Sequence, residues 1–337
     1  MRLRSQRATR ESGLMKRIGV LTSGGDGPGM NAALRAVVRT ASRNDIGVIG
    51  YRDGYTGLVK GWTEELDDRR VGGQIQRGGT MIGTSRCPEF NEPDGRAKAA
   101  AQMAADGVSG LLVIGGDGSF RGALKLQEEH GIAVVGVPGT IDNDIFGTDE
   151  TIGFDTAVNT AMQAIDRLRD TSEATGMTFF VEVMGRASGA IAIQVALAGG
   201  AAGVLVPEEH GEADALAARL RRLGEEGKRS HLVIVSEGDE LGGVYEVAQK
   251  VSEAAGCEYR VVVLGHVQRG GNPTARDRII SGMMGAGAVE ALVAGRAGVM
   301  VGMWRGQVVE VPLTEVVARG QGVPRLDMLE LAQQLAG

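Results

Sequence analysis

The sequence predicts a doubly wound α/β fold, and three observations carry the prediction. Short, wholly apolar runs recur along the chain, each closed by glycine or a polar residue. Between them lie stretches rich in Ala, Leu, Arg and Glu, the composition of helices. Of the 337 residues 54 are glycine, without a collagen-like period, so many tight turns and close backbone approaches are expected. Runs this apolar are buried on both faces, as in a parallel sheet, and strand followed by helix, repeated, is the doubly wound pattern. At this length the chain makes two domains of ordinary size or one large α/β unit.

Taken in order, residues 1–14 carry Arg2, Arg4, Arg7 and Arg10 without an apolar stretch. They read as a disordered tail, dispensable or begun from an upstream start, and not as a signal peptide. Strands are expected at Ile18–Leu21, Val48–Tyr51, Leu111–Ile114, Ala133–Val137, Phe179–Val183, Val204–Val206, Leu232–Val235 and Val261–Leu264. Helices are expected at Met30–Ser42, Arg96–Ala105, Ala157–Asp170, 188–198, Asp214–Glu226 and Tyr245–Ala255. Residues 187–207 are uncharged and long enough to span a bilayer. Gly189, Gly199, Gly200 and Gly203 with Ser188 and Gln194 make them weakly apolar, so a buried helix and strand is the better reading.

Composition narrows the function. With 43% apolar and 23% charged residues the chain is neither disordered nor of membrane type. A net charge of −6 repels polyanions, and 4% aromatic residues offer few stacking platforms, so no nucleic-acid partner is expected. Cys87 and Cys257 have neither metal-site spacing nor the number of a disulfide framework and read as packing residues in a reducing cytosol. His130, His210 and His231 fall in polar connecting segments and read as solvated. Neither H-E-x-x-H nor G-x-S-x-G occurs, which disfavours a zinc hydrolase or a serine esterase.

In doubly wound folds ligands bind beyond the carboxyl ends of the strands. The residues there are Thr22–Asp26, Gly115–Ser119, Pro138–Asp144, Met184–Arg186, Glu237 and His266. Ser23–Gly29 and Gly115–Gly118 follow strands and precede helices, a placement that aims backbone N–H groups at an anion. Neither completes G-x-G-x-x-G, and no G-x-x-x-x-G-K-[ST] occurs, so a standard nicotinamide or P-loop site is disfavoured. Asp117 sits where a carboxylate can reach a phosphate-bound Mg²⁺, or else it is an Asx-turn residue. Asp142 and Asp144, at i and i+2 after Thr140, offer a base and a supporting carboxylate, or else a capping turn. Arg186 and Arg269 are cations at ligand-facing positions suited to phosphate.

These motifs together resemble the phosphofructokinase family, bacterial type, from about Met15 to Ala294. The likeness is carried by Gly19–Asp26, Ile114–Ser119, Pro138–Asp144, Glu182–Arg186 and Gly265–Gly271, five segments in the family's order. It implies two doubly wound, Rossmann-like domains with largely parallel sheets and an active site in the cleft between them. Their expected extents are 15–153 plus 268–318 for nucleotide and 154–267 plus 319–337 for sugar phosphate. The implied reaction is ATP-dependent phosphorylation of fructose 6-phosphate at its 1-hydroxyl, giving fructose 1,6-bisphosphate and ADP, with Mg²⁺, in the cytoplasm. Asp142 would be the base, Asp144 its support, Asp117 the metal ligand, and Thr140 and Arg186 stabilisers of the transferring group.

By the same resemblance Gly25, Tyr55, Arg86, Arg96, Gly116, Gly118, Ser119 and Gly122 would contact nucleotide. Thr140, Asp142, Met184, Gly185, Arg186, Glu237, Arg260, His266 and Arg269 would contact sugar phosphate. Arg260 would reach a neighbouring subunit's site, which implies a homotetramer. Gly118 and Gly139 match ATP users, where pyrophosphate users place Asp and Lys. Met177 stands where many members have a second arginine for the 6-phosphate, which leaves a tagatose 6-phosphate or sedoheptulose 7-phosphate kinase as an alternative. A weakly catalytic regulatory paralogue is the other. Arg35, Arg39, Arg169 and Lys228 match basic residues of the family's effector region, but Ala202 replaces a metal-binding glutamate, and Asp68 and Glu226 replace basic residues. Asn91 and Cys87 also depart from the common bacterial pattern.

Overall fold

Apolar strands flanked by amphipathic helices assemble into two sheets, each covered on both faces. The computed structural model describes residues 15–228, 230–238 and 243–336, so the expectation for residues 1–14 lies outside the described residues. The first half runs β1 (Arg17–Ser23), α1 (Met30–Arg43), β2 (Gly47–Tyr51), α2 (Tyr55–Lys60), β3 (Thr63–Leu66), α3 (Pro93–Ala105), β4 (Gly110–Gly115), α4 (Asp117–His130) and β5 (Ala133–Pro138). Next come α5 (Phe154–Thr175), β6 (Thr178–Val183), α6 (Ala190–Gly199), β7 (Gly203–Leu205), α7 (Glu212–Glu225), β8 (His231–Ser236), α8 (Val244–Ala255) and β9 (Tyr259–Val263). The chain closes with α9 (Ala275–Val293), β10 (Val299–Trp304), β11 (Gln307–Pro312), α10 (Leu313–Arg319) and α11 (Leu326–Leu335).

The larger sheet has the order β11-β10-β5-β4-β1-β2-β3, parallel except for antiparallel β3 and β11 at its edges. The smaller is β7-β8-β6-β9, all parallel. One apolar cluster joins Leu34, Val37, Met284 and Leu292 of α1 and α9 to the larger sheet, and another brings Leu58, Met103, Phe120 and Val316 to its opposite face. Ile165, Ile193 and Leu329 cover one face of the smaller sheet, and Leu220 and Val247 cover the other.

The eight expected strands are present, with ends displaced by one or two residues. β9 differs in burial: it is the edge strand of the smaller sheet, and Val263 on it is exposed. The β10–β11 hairpin and β3 were not expected. The hairpin turns on Arg305 and Gly306, both with positive φ (50° and 77°), a two-residue geometry more often signalled by Asn-Gly. β3 is a charged edge, Thr-Glu-Glu-Leu, which lacks an apolar run. Half-exposed Trp62 and Trp304 flank these outer strands.

α9 was also missed, because Gly282, Gly285 and Gly287 lower its helix propensity. Gly285 is where α1 crosses: a Cβ there would lie 2.7 Å from the Ala33 carbonyl oxygen. His231 corrects another expectation. It opens β8 buried, with Nε2 bonded to the Lys228 carbonyl at 3.0 Å, and burial depresses its pKa. Among the described residues no helix is long and apolar enough to cross a membrane.

The N-termini of α5 and α9 meet end to side between the two sheets. Asp277 of α9 is fully buried and accepts from Gly153 N–H (2.9 Å), Thr156 N–H (2.8 Å) and the Thr156 hydroxyl (2.5 Å), supplying the cap that α5's own Gly153 cannot. In return Thr274 caps α9 through Asp277 N–H (3.2 Å), donates its hydroxyl to Asp155 (2.5 Å), and gives its own N–H to the Thr156 hydroxyl (3.0 Å). Burial, opposed by these hydrogen bonds, pushes Asp277 up to about 6. Asp277→Ala is expected to lower stability by about 3 kcal/mol, read by denaturant unfolding, because two backbone donors lose their acceptor. A raised carboxylate stabilises the fold below its unfolded pKa of about 4, and that contribution fades as pH climbs through the folded value. Asp277→Asn should therefore remove a decline in stability that the native chain undergoes between about pH 4 and 6.

Candidate active site

The carboxyl ends of β1, β4 and β5 open into a cleft of about 730 Å³ whose far wall comes from the end of β6 and the Gly265–Arg269 turn. Gly25, Tyr55, Arg86, Gly116, Asp117, Gly118, Ser119, Gly122, Thr140, Asp142, Asp144, Arg186 and Arg269, all selected from the sequence, line it together. Gly139 lines it too. Met184, Gly185, Glu237, Arg260 and His266 do not border this cavity among the described residues.

Arg96 is a correction. It is 3% exposed, and its guanidinium is consumed by Glu129 (2.6 and 2.7 Å) and by the carbonyls of Phe90 (3.0 Å) and Asn91 (2.6 Å). It fastens α3 to α4 behind the wall, and the one N–H these bonds leave over belongs to a buried group that does not line the cleft. Tyr55 lines the cleft in a supporting way: its hydroxyl donates to the Ser119 carbonyl at 2.7 Å and its ring stacks on Phe90 at 3.9 Å. Its burial raises the phenol pKa, so it stays neutral.

Asp117 is the first residue of α4 and not an Asx-turn residue, so Gly118 and Ser119 form the first helical turn. Backbone donors orphaned at this N-terminus face the cleft. Asp117 Oδ2 pairs with Arg121, one helical turn on, while Oδ1 is buried without a partner. Arg121 was missed because α4 was not foreseen across its two internal glycines.

The loop after β5 holds the paired carboxylates. Asn143 has φ 49°, and its side chain staples the turn: Oδ1 accepts from Thr151 N–H (2.8 Å) and Nδ2 donates to the Asp149 carbonyl (3.1 Å). The Thr140 hydroxyl accepts from Asp142 N–H at 3.2 Å. The turn therefore exposes Asp142 and Asp144 together, which a simple capping turn would not do. Burial, and then the Asp144 charge, push Asp142 up to about 6, against the pull of Arg186 and Arg269. Burial also raises Asp144.

Both cations are held by unusual local geometry. Arg186 follows β6 with φ 57°, a conformation costly for a residue with a Cβ and typical of functional sites. Arg269 leans over Gly25, where a Cβ would come within 2.5 Å of Nη1, and lies 3.9 Å from Asp26 with its Nε buried and unpartnered. Gly25 thus gives the arginine room, while its neighbour Gly24, with φ 91°, turns the loop. Met184 N–H is bonded to Gln268 Oε1 at 2.8 Å, and Gln268 is fully buried. Glu237, Arg260 and His266 are exposed. Gln321, from the far end of the chain, also enters the cleft, and no motif announces it.

An anion-receptive helix start, a half-buried carboxyl with a pKa raised to about 6, and two arginines suit transfer of a phosphoryl group. Among the described residues no three His, Cys, Asp or Glu side chains close around a metal. Mg²⁺ is commonly held by one or two carboxylates plus substrate phosphates, so the orphaned Asp117 oxygen fits such an ion.

Comparison with known proteins covers nearly the whole chain. The phosphofructokinase family profile matches residues 17–292. ATP-dependent 6-phosphofructokinase 1 of Thermus thermophilus is 55% identical over 322 residues, 96% of this chain and 100% of that one. The ATP-dependent 6-phosphofructokinase of Bacillus cereus is 50% identical with the same coverage. The structure of phosphofructokinase from Saccharomyces cerevisiae has a TM-score of 0.84 at 34% identity, over 95% of this chain and 48% of that one, so this chain spans about half its length.

In ¹³C NMR the Asp142 carboxyl should titrate near 6. Asp144→Asn, which removes a like charge, should lower that midpoint, and Arg186→Met should raise it.

Proposed function

The chain belongs to the phosphofructokinase family, and from that premise we propose that it transfers the γ-phosphoryl group of ATP to the 1-hydroxyl of fructose 6-phosphate, giving fructose 1,6-bisphosphate and ADP. The observation that carries this reading is the half-buried Asp142 carboxyl, poised near 6 beside Asp144 and opposite Arg186 and Arg269.

Asp142 takes the proton from the attacking hydroxyl. It is ionised above about pH 6 yet basic enough to accept that proton, which is the balance a general base needs. Asp144 keeps the site negative. The start of α4 receives the phosphate chain, Gly116 and Gly118 leaving the backbone accessible and Ser119 offering its side chain, since its N–H is bonded to the Gly116 carbonyl at 3.0 Å. Arg186 balances charge on the transferring group. Arg269 holds the sugar phosphate, and Met184, Gly185, Glu237 and His266 shape that subsite. Asp117 would hold Mg²⁺, which would supply positive charge to neutralise the phosphates. Arg260 is exposed, with Nη1 on the Tyr259 carbonyl, which supports a role in a neighbouring subunit's site within a homotetramer. The domain division at 15–153 plus 268–318 and 154–267 plus 319–337 belongs to the same reading, as does a cytoplasmic location.

ATP is favoured over pyrophosphate as donor. A Cβ at Gly118 would meet nothing within 4 Å, so the glycine leaves open space on the cleft side. At Gly139 a Cβ would instead press on Ile114 and Met30 at 3.1 Å, so that glycine serves packing as well as space.

Two departures shape substrate and control. Met177 is half-buried against the apolar cluster of the smaller sheet and offers no cation to a 6-phosphate, which favours a high KM or a second phosphosugar. In the effector region Asp68 lies 3.8 Å from Arg39 and accepts from Ser42 (3.0 Å), Arg169 is bonded to the Gly199 carbonyl, and Ala202 is buried. Asp68 competes with an added phosphate for Arg39, and Ala202 offers no metal ligand, so control by ADP and phosphoenolpyruvate is weak.

Initial rates with ATP, Mg²⁺ and fructose 6-phosphate test the proposal. Asp142→Ser should lower kcat about a thousandfold, and kcat/KM of the native chain should fall about tenfold per pH unit below 6. Chelating Mg²⁺ should abolish turnover, and pyrophosphate should not replace ATP. Met177→Arg should lower KM about tenfold. Absence of turnover on fructose 6-phosphate and other phosphosugars, with ATP still bound, would overturn the reading in favour of a regulatory paralogue.

A further inference from the structure

Gln321 reaches the cleft from a segment remote in sequence from every motif. α10 is anchored by buried Leu313 and Val316 in the cluster that packs on the larger sheet, and α11 by buried Leu329 in a cluster of the smaller one. The link between them, residues 320–325, therefore crosses between the two sheets with both ends tied to a core. Where it crosses, it runs along the carboxylate loop.

Three contacts fix it there. Gly322 N–H donates to the Asp144 carbonyl at 2.8 Å, Gln321 forms an antiparallel bridge with Ile145, and Gln321 Nε2 donates to Asp144 Oδ2 at 3.4 Å. A Cβ on Gly322 would stand 3.2 Å from the Ile145 backbone, so the crossing lies as close as a glycine permits. Ile145 is itself buried in the larger sheet's core. The backbone of Asp144 is thus gripped from both sides, and what remains free is the rotation of its carboxylate. Asp142 and Asp117 repel that carboxylate and Arg186 attracts it, so charge alone would draw it toward the arginine. A neutral amide donor orients it without cancelling its charge.

We propose that Gln321 is a positioning residue for phosphoryl transfer, its carboxamide holding the Asp144 carboxylate in the orientation the reaction uses. The inference rests on the kinase reading above and adds the C-terminal crossing to its machinery. Gln321 is exposed and outside both cores, so its replacement leaves the fold intact.

The test is steady-state kinetics of the full chain with ATP, Mg²⁺ and fructose 6-phosphate. Gln321→Met keeps the side chain's length and removes the donor. It is expected to lower kcat about three- to tenfold, with both KM values within about twofold and the thermal midpoint within about 2 °C. In an Asp144→Ala background the same change should cost nothing more, because the oxygens it acts on are gone. An unchanged kcat in Gln321→Met, a loss that falls on KM, or losses that multiply in the double variant would each overturn the proposal. A native chain that turns over no phosphosugar would instead overturn the kinase reading on which it rests.

Discussion

Two helix N-termini brought together carry like partial charge and unsatisfied N–H groups, and the molecule's two layers are joined where α5 and α9 meet in that way. Asp277 and Asp155 supply the missing negative charge, each from one helix to the other's neighbourhood. Much else follows from this exchange. α5 starts at Phe154, directly after the loop that carries Thr140, Asp142 and Asp144, and α9 starts six residues after Arg269. Fixing the two helix starts fixes both sides of the cleft relative to one another. Arg276 adds a bidentate pair to Glu150 (2.8 and 2.5 Å), which holds the far end of the same loop.

The cleft itself is a place where local preferences are overridden. Asn143 and Arg186 take backbone conformations that glycine would adopt more cheaply, Asp142 is kept where water would solvate it better, and an oxygen of Asp117 is left without a partner. Each cost is confined to a strand end and is offset by the surrounding sheets, whose interior is continuous apolar packing. The supporting residues around it are conventional. Tyr55, Phe90 and Arg96 form a bonded wall, and these contacts keep that side of the cleft from shifting.

The parallel strands were legible because burial on both faces demands unbroken apolar runs, and the strand-end loops followed from the fold. Elements whose signal is weaker at the level of composition were not legible. α4 and α9 contain glycines needed for a ligand or a helix crossing, β3 is charged because it is an edge, and the outer hairpin turns on Arg-Gly. Thirteen of the residues chosen from the sequence line the cavity, because motifs at strand ends converge in this topology. Arg96 was misread because a motif position says nothing of the partner, and Glu129 is 33 residues away. Gln321 was unreadable because its importance lies in a crossing that the sequence does not encode locally.

The chain's two tryptophans stand at opposite margins of the larger sheet, Trp62 entering β3 and Trp304 closing β10, each half-exposed and each beside a cation, Lys60 at 4.9 Å and Arg305 at 6.0 Å from the ring. Neither borders the cleft. Tryptophan emission from this protein is therefore a signal of its outer strands: iodide, drawn to the adjacent cations, quenches it readily, while a molecule entering the cleft leaves it nearly unchanged. An optical probe of occupancy has to be built in, and fluorescence of the native chain reports unfolding of the sheet margins.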